Sequence, residues 1–222
     1  FHMNSVSGST AKGGGAVSIA TSQASSIINC TFVSNEQKNS GGDGGGALYF
    51  ENTDVAELVS PLVDHCTFFN NVDQASSGSA ILSVNAGMTV QLRNSILADE
   101  QMEEGLVLDV LGGGIFQSLG GNIATDDTAT TYTKNGAQNI TILDHATDLY
   151  STDPKLDDLA DNFGATFTCG LLENSPAIDK AIAVDSVTTD QRGYWRLDGV
   201  DNKPDSGAFE LGAFQRLQIN EV

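Results

Sequence analysis

Apolar residues in this chain do not keep a helical spacing. They come in short bursts between Gly, Asn, Ser and Asp, and within a burst they alternate, as Val90, Leu92, Ser95 and Leu97 do around a break at Asn94. A period of two is that of a strand with one face buried. The bursts also return at a fixed interval. Phe1-x-x-Asn4 followed by Gly13-Gly14-Gly15-Ala16-Val17 reappears as Phe32-x-x-Asn35 followed by Gly44-Gly45-Gly46-Ala47-Leu48, each residue displaced by 31. A looser third copy runs from Phe68-x-x-Asn71 to Gly78-Ser79-Ala80-Ile81-Leu82. Asn29-Cys30-Thr31-Phe32, His65-Cys66-Thr67-Phe68 and Asn94-Ser95-Ile96-Leu97 line up in the same way.

Fixed-period self-similarity is the mark of a solenoid, and strand-sized bursts make it an all-β one: a parallel β-helix whose coils bury their apolar faces only by stacking. Cys30 with Phe32, and Cys66 with Phe68, sit two apart and so share the inward side of a strand. Equivalent residues of neighbouring coils should then stack about 4.8 Å apart. Asn29, His65 and Asn94 fall at the bend before that strand, where Asn tolerates the left-handed conformation. Asn4, Asn35 and Asn71 mark a second stacked position after Phe1, Phe32 and Phe68. The glycine triplets suit corners that need either positive φ or an approach a Cβ would block.

Along the chain, residues 1–143 read as coils, clear over 1–98 and degenerate over 99–143. Asp99 to Gly105 forms a polar loop, and Thr125 to Gly136 a Thr/Asp-rich excursion. From residue 144 to 222, Pro and Asp punctuate short apolar pieces, as expected of an irregular C-terminal cap on the same domain, protecting the last strand edge. Phe1 falls where Phe32 falls, in mid-coil, so we expect the natural protein to continue upstream.

Charge narrows the partners. Twenty-nine acidic residues against ten basic give a net charge of −19, which repels nucleic acid and anionic membranes. No apolar run approaches the roughly 18 residues of a membrane helix, and no signal-like stretch opens the chain. Glycine at 24 residues with so few Lys and Arg speaks against long surface helices.

The paired Phe-x-x-Asn and Gly-Gly-Ala repeats resemble those of the polymorphic outer-membrane-protein family of bacterial surface β-helices. The second half contains Asp153-Pro154-Lys155-Leu156, Leu159-Ala160-Asp161-Asn162-Phe163-Gly164, Ser175-Pro176-Ala177-Ile178-Asp179, Asp190-Gln191-Arg192-Gly193 and Gly207-Ala208-Phe209-Glu210. Their order is similar to that of bacterial choice-of-anchor Q proteins. The resemblance implies a right-handed parallel β-helix, exported by a signal not present in this chain and held at the cell surface or outside the cell. It implies no activity, and Leu211 to Val222 shows no sorting tail.

Candidate chemistry is sparse. Cys30 and Cys66 occupy equivalent sites of adjacent coils, close enough for a bond, although stacked interior thiols usually stay free; Cys169 has no obvious partner. Asp198, Asp201, Asn202 and Asp205 form an oxygen-rich loop of the kind calcium selects, or else a solvated acidic turn. Trp195 with Arg192 and Arg196 reads either as a platform for a sugar ring or as a clamp, with Arg192 pairing to Asp179 or Asp190 and Trp195 covering the last apolar rung. His145, beside Asp144 and Asp148, reads as a surface residue. No nucleophile elbow, phosphate loop or dinucleotide fingerprint is present, so no catalytic residue is assigned. The expected function is a non-catalytic surface module, adhesive, structural or carbohydrate-binding, with extracellular polysaccharide or a cell-surface component as partner and self-association into fibres as a variant. The rival is a polysaccharide lyase or hydrolase with its site on a sheet groove or in upstream coils.

Overall fold

The computed structural model describes residues 1–8, 12–38, 44–74, 79–99, 108–111, 113–126, 143–196 and 203–213. Among these there is no helix. After β1 (Ser5–Val6) the chain makes four similar passages: β2 (Val17–Thr21), β3 (Ser26–Ile28), β4 (Thr31–Val33) and β5 (Glu36–Gln37); β6 (Leu48–Asn52), β7 (Leu62–Asp64), β8 (Thr67–Phe69) and β9 (Val72–Asp73); β10 (Ile81–Val84), β11 (Thr89–Arg93) and β12 (Ile96–Ala98); β13 (Leu108–Leu111), β14 (Ile115–Ser118) and β15 (Ile123–Ala124). A hairpin, β16 (Leu156–Ala160) and β17 (Thr168–Leu171), follows.

Equivalent strands stack in parallel into sheets ordered β2-β6-β10-β13, β3-β7-β11-β14 and β4-β8-β12-β15, with a shorter β1-β5-β9 sheet beside them. The register follows the sequence alignment: Val17 pairs with Leu48 and Leu48 with Ile81; Phe32 pairs with Phe68 and Phe68 with Leu97. Three phenyl rings consequently stack face to face, Phe1 on Phe32 at 4.8 Å and Phe32 on Phe68 at 4.9 Å. The inward residues Phe32, Phe50, Val63, Phe68, Val90, Leu92 and Leu97 are buried in one cluster between the sheets.

Corners are held in two ways. Asn4 Nδ2 donates to Asn35 Oδ1 and Asn35 Nδ2 to Asn71 Oδ1, both at 2.9 Å, which gives partners to the buried amides of Asn35 and Asn71. Asn29, His65 and Asn94 all take the left-handed conformation, with φ of 52°, 47° and 51°, and Gly121 continues the series at 71°. The glycine corners answer to space instead: a Cβ on Gly15 would overlap the carbonyl oxygen of Gly46, and one on Gly46 that of Ser79. Gly78 lies outside the described residues.

One feature departs from a one-faced strand pattern. In β4, β8 and β12 every residue is buried, because Val33, Phe69, Ile96, Ala98 and Ile123 on the outer face pack under Cys169, Leu171, Ala177 and Phe209. The C-terminal region therefore does more than close the last edge. Leu149 does pair with Ile123 of the edge strand β15, but the rest runs back along the outer face of the sheet toward the first passage.

Candidate functional site

The left-handed bend positions form a row, and the C-terminal region hydrogen-bonds along it. Asn29 Nδ2 donates to the Thr189 carbonyl at 2.7 Å. Asn94 Oδ1 accepts from the Ile182 amide at 2.8 Å while its Nδ2 donates to the Ile182 carbonyl at 2.9 Å. Ser206 Oγ donates to the Gly121 carbonyl at 2.6 Å. His65, the fourth member, is 0% exposed. Because Ile182 fixes which end of the Asn94 amide is nitrogen, that nitrogen, 3.2 Å from His65 Nε2, must donate to it. The His65 proton then sits on Nδ1, 2.9 Å from Asp64 Oδ1. Asp64 also takes Arg93 NH2 at 2.6 Å and Nε at 3.2 Å.

An Asp–His–Arg set of this kind is catalytic furniture in other settings, but Asp64 and His65 are both fully buried and no substrate can touch them. Burial draws His65 down to about 4, against the attraction of Asp64, so the ring is neutral at pH 7. Burial opposes ionisation of Asp64 as well, yet its contacts with His65 and Arg93 win and hold the carboxyl below its usual range.

The cap has its own charged centre. Arg192 lies between the rings of Tyr194 and Phe209, 4.4 and 3.7 Å from their centroids, and forks onto Asp190 Oδ2 through Nε at 2.8 Å and NH2 at 2.7 Å. The partner is Asp190, not Asp179, which sits at φ 57° with its amide on Asp205 Oδ1. Arg196 is 1% exposed and therefore presents no surface to a ligand. It donates to the carbonyls of Thr189, Asp205 and Gly207, to Asn29 Oδ1, and to Glu210 Oε2 at 3.3 Å. Burial raises Glu210 to about 9 and Asp205 to about 6.

Of the proposed calcium loop, Asp198, Asp201 and Asn202 lie outside the described residues. Asp205 is 2% exposed and both its oxygens are taken by amides, Oδ1 by Asp179 and Oδ2 by Leu211 at 2.7 Å. Among the described residues no three His, Cys, Asp or Glu side chains gather into a set able to hold a metal ion. Trp195 is 38% exposed, with its backbone bridged to Thr189; Phe209, Cys169 and Leu171, rather than Trp195, cover the apolar sheet face. His145 is exposed and faces Thr147 Oγ1 at 2.9 Å, whereas Asp148 turns inward to accept from Asn122.

Two clefts open where the cap meets the sheets. One, of about 330 Å³, lies among Phe69, Ala98, Asp99, Thr125, Asp153 and Lys155. The other, of about 370 Å³, is lined by Phe1, His2, Asn29, Cys30, Thr31, Leu159, Thr166, Phe167 and Gln191. Phe1 and Phe167 are more than half exposed, and among the described residues no Asp, Glu, Lys or Arg lines this second space. In the sequence Gln191 stands out only inside the 190–193 motif and Phe167 carries no assigned role, since only folding brings them within reach of Thr31: Thr31 Oγ1 donates to Gln191 Oε1 at 2.7 Å across 160 residues. No protein-family model, curated protein or solved structure matches the chain.

Proposed function

We propose that this chain is a right-handed parallel β-helix of the choice-of-anchor Q type, working outside the bacterial cell as a non-catalytic module that binds neutral polysaccharide in the cleft beside Phe167. The observation that carries the reading is the composition of that cleft. The exposed ring of Phe167 stands beside the exposed hydroxyl of Thr166, and a ring face next to a hydroxyl is the combination that stacks on a sugar ring and hydrogen-bonds its hydroxyls. Glycoside hydrolysis needs two carboxyl groups about the scissile bond, and the lining residues supply none. The charged groups with unusual environments, Asp64, His65, Arg196 and Glu210, are all committed to internal contacts.

The test is retention of the protein by a panel of neutral and uronate polysaccharides, with and without calcium, together with an assay for new reducing ends. Retention by neutral polymers that Phe167→Ala abolishes without shifting the unfolding midpoint supports the reading. New reducing ends would make the chain an enzyme, and retention indifferent to Phe167→Ala would move the site elsewhere. Retention that depends on calcium would restore the 198–205 loop as a metal site.

A further inference from the structure

The same cleft has a thiol in its wall, and a second thiol stands directly behind it. Thr31 and Thr67 pair in register across β4 and β8, so Cys30 and Cys66, one residue earlier, stack as well, with Cα atoms about 4.8 Å apart. Disulfides accept Cα separations of roughly 4.4–6.8 Å. Both side chains turn into the central cluster, where the Cys66 thiol donates to the carbonyls of Asp64 and Ile27 and the Cys30 thiol to that of Ile28. Both thiols are free in this structure. The difference between them is access: Cys30 is half-buried and lines the cleft, whereas Cys66 is 0% exposed.

We propose that Cys30 and Cys66 form a reversible redox pair, in which Cys30 reacts with a low-molecular-weight disulfide entering the cleft and Cys66 resolves the adduct into a staple between successive passages of the chain. The Cys30 thiolate attacks one sulfur of the oxidant RSSR, forming Cys30–S–S–R and releasing RS⁻, which takes up the proton that Cys30 gave to solvent. Cys66 then gives up its proton, attacks the Cys30 sulfur and expels the second RS⁻, which is protonated in turn. Two thiols are oxidised, one RSSR is reduced to two RSH, and two electrons move.

The electrostatics assign the order of attack. The neighbouring Cys66 thiol is the main influence that brings Cys30 down to about 7, while burial pushes Cys66 well up. The thiolate is the attacking species, so Cys30 goes first. Stacked Cβ atoms must close by about 1 Å to reach the mean disulfide separation of roughly 3.8 Å. The resulting strain favours a bond that is readily reduced again. Cys169, pushed up to about 12 by burial and by Asp158 and Asp157, lies in the other cluster and serves as an internal control.

The experiment exposes the native protein to oxidised glutathione, quenches by alkylation, and maps the peptides by mass. The expected result is a Cys30–Cys66 cross-link with Cys169 unmodified, reversed by reduced glutathione. Cys66→Ser should trap glutathione on Cys30, and Cys30→Ser should leave Cys66 unmodified. At pH 8 in the reduced protein, Cys30 should alkylate on the order of ten-thousandfold faster than Cys169, following their thiolate fractions. Glutathione persisting on Cys30 in the unaltered chain with Cys66 free would overturn the proposal. So would Cys66 reacting unaided in Cys30→Ser, or a native protein that keeps three free thiols. The unaltered chain decides the matter by itself if either Ser variant fails to fold. None of these outcomes depends on whether the cleft holds a saccharide.

Discussion

Arg196→Met removes the cap's central donor while keeping most of its volume. Five acceptors lose their charged partner; the Thr189 carbonyl keeps Asn29 Nδ2 and Glu210 Oε2 keeps the Asp205 amide, so the carbonyls of Asp205 and Gly207 and Asn29 Oδ1 are stranded. Stranding each of these three costs about 1 kcal/mol, or about 3 kcal/mol together. For a chain of this length that amounts to a fall of about 6–12 °C in Tm. The assay is built in, because the single tryptophan is Trp195, the neighbouring residue: its emission reports the cap while far-ultraviolet circular dichroism reports the sheets. Arg196→Lys, which keeps the charge but not the fork, should fall between the two. Glu210 adds a pH signature. Its folded value of about 9 lies above the unfolded 4.5, so the folded state binds the extra proton. Its contribution to stability is full below about 4.5 and is lost as pH rises through 9. Glu210→Gln should flatten that alkaline limb. Arg196→Met within about 3 °C of the unaltered protein, or Arg196→Lys equal to it, would refute the clamp.

Three further expectations use the stacked sheets. His65 is held near 4, below its unfolded 6.5, so the unfolded state gains a proton first and stability should decline as pH falls from 6.5 to 4, by about 3 kcal/mol. His65→Asn, the residue found at the equivalent bends 29 and 94, should remove that acid limb in urea titrations, and an unchanged limb would place its origin elsewhere. Gly46→Ala should be far more damaging than Gly193→Ala. The first drives a Cβ into the Ser79 carbonyl, whereas the second has nothing within 4 Å and only a φ of +85° to strain, at about 1–2 kcal/mol; equal thermal shifts would contradict the close-approach reading. Phe32→Ala, which empties the middle of the three-ring stack, should cost about 3–5 kcal/mol by denaturant titration, and a loss below about 1 kcal/mol would mean that the cavity collapses.

Much of the stacked architecture was legible because it is local and repeated. Phe32 and Phe68 announce their pairing by carrying identical neighbours, and Asn29, His65 and Asn94 announce their bend by residue type. The companion bend at Met3, Ser34 and Asn70 is equally left-handed, with φ of 52° at all three, but only Asn70 belongs to the type that favours it, so the pattern hid it. The cap was legible as a boundary and not as a placement. Nothing in Ile178, Ala177 or Phe209 says which apolar surface they cover, because that contact is non-local and unrepeated. Arg192 and Arg196 show the cost of reading charge without burial. The same two guanidinium groups that read either as a ligand platform or as a clamp beside Trp195 are spent on Asp190, Glu210, Asn29 and main-chain carbonyls.

The route of the cap bears on how the stack holds together. In a simple solenoid each repeat touches only its neighbours, so stability propagates along the axis by nearest-neighbour terms and the ends can fray independently. Here the C-terminal region bonds to Asn29, Thr67, Asn94 and Gly121, one residue in each of the four passages, and buries the outer face of the sheet that joins them. It acts as a lateral splint. Opening any one passage requires releasing a contact made by the last fifty or so residues, and releasing the cap uncovers all four passages together. Trp195 emission and the sheet signal should therefore change in one coincident transition. Arg196, bonded at once to Asn29 in the first passage and to Glu210 near the end of the cap, is the residue whose removal would pull the two signals apart.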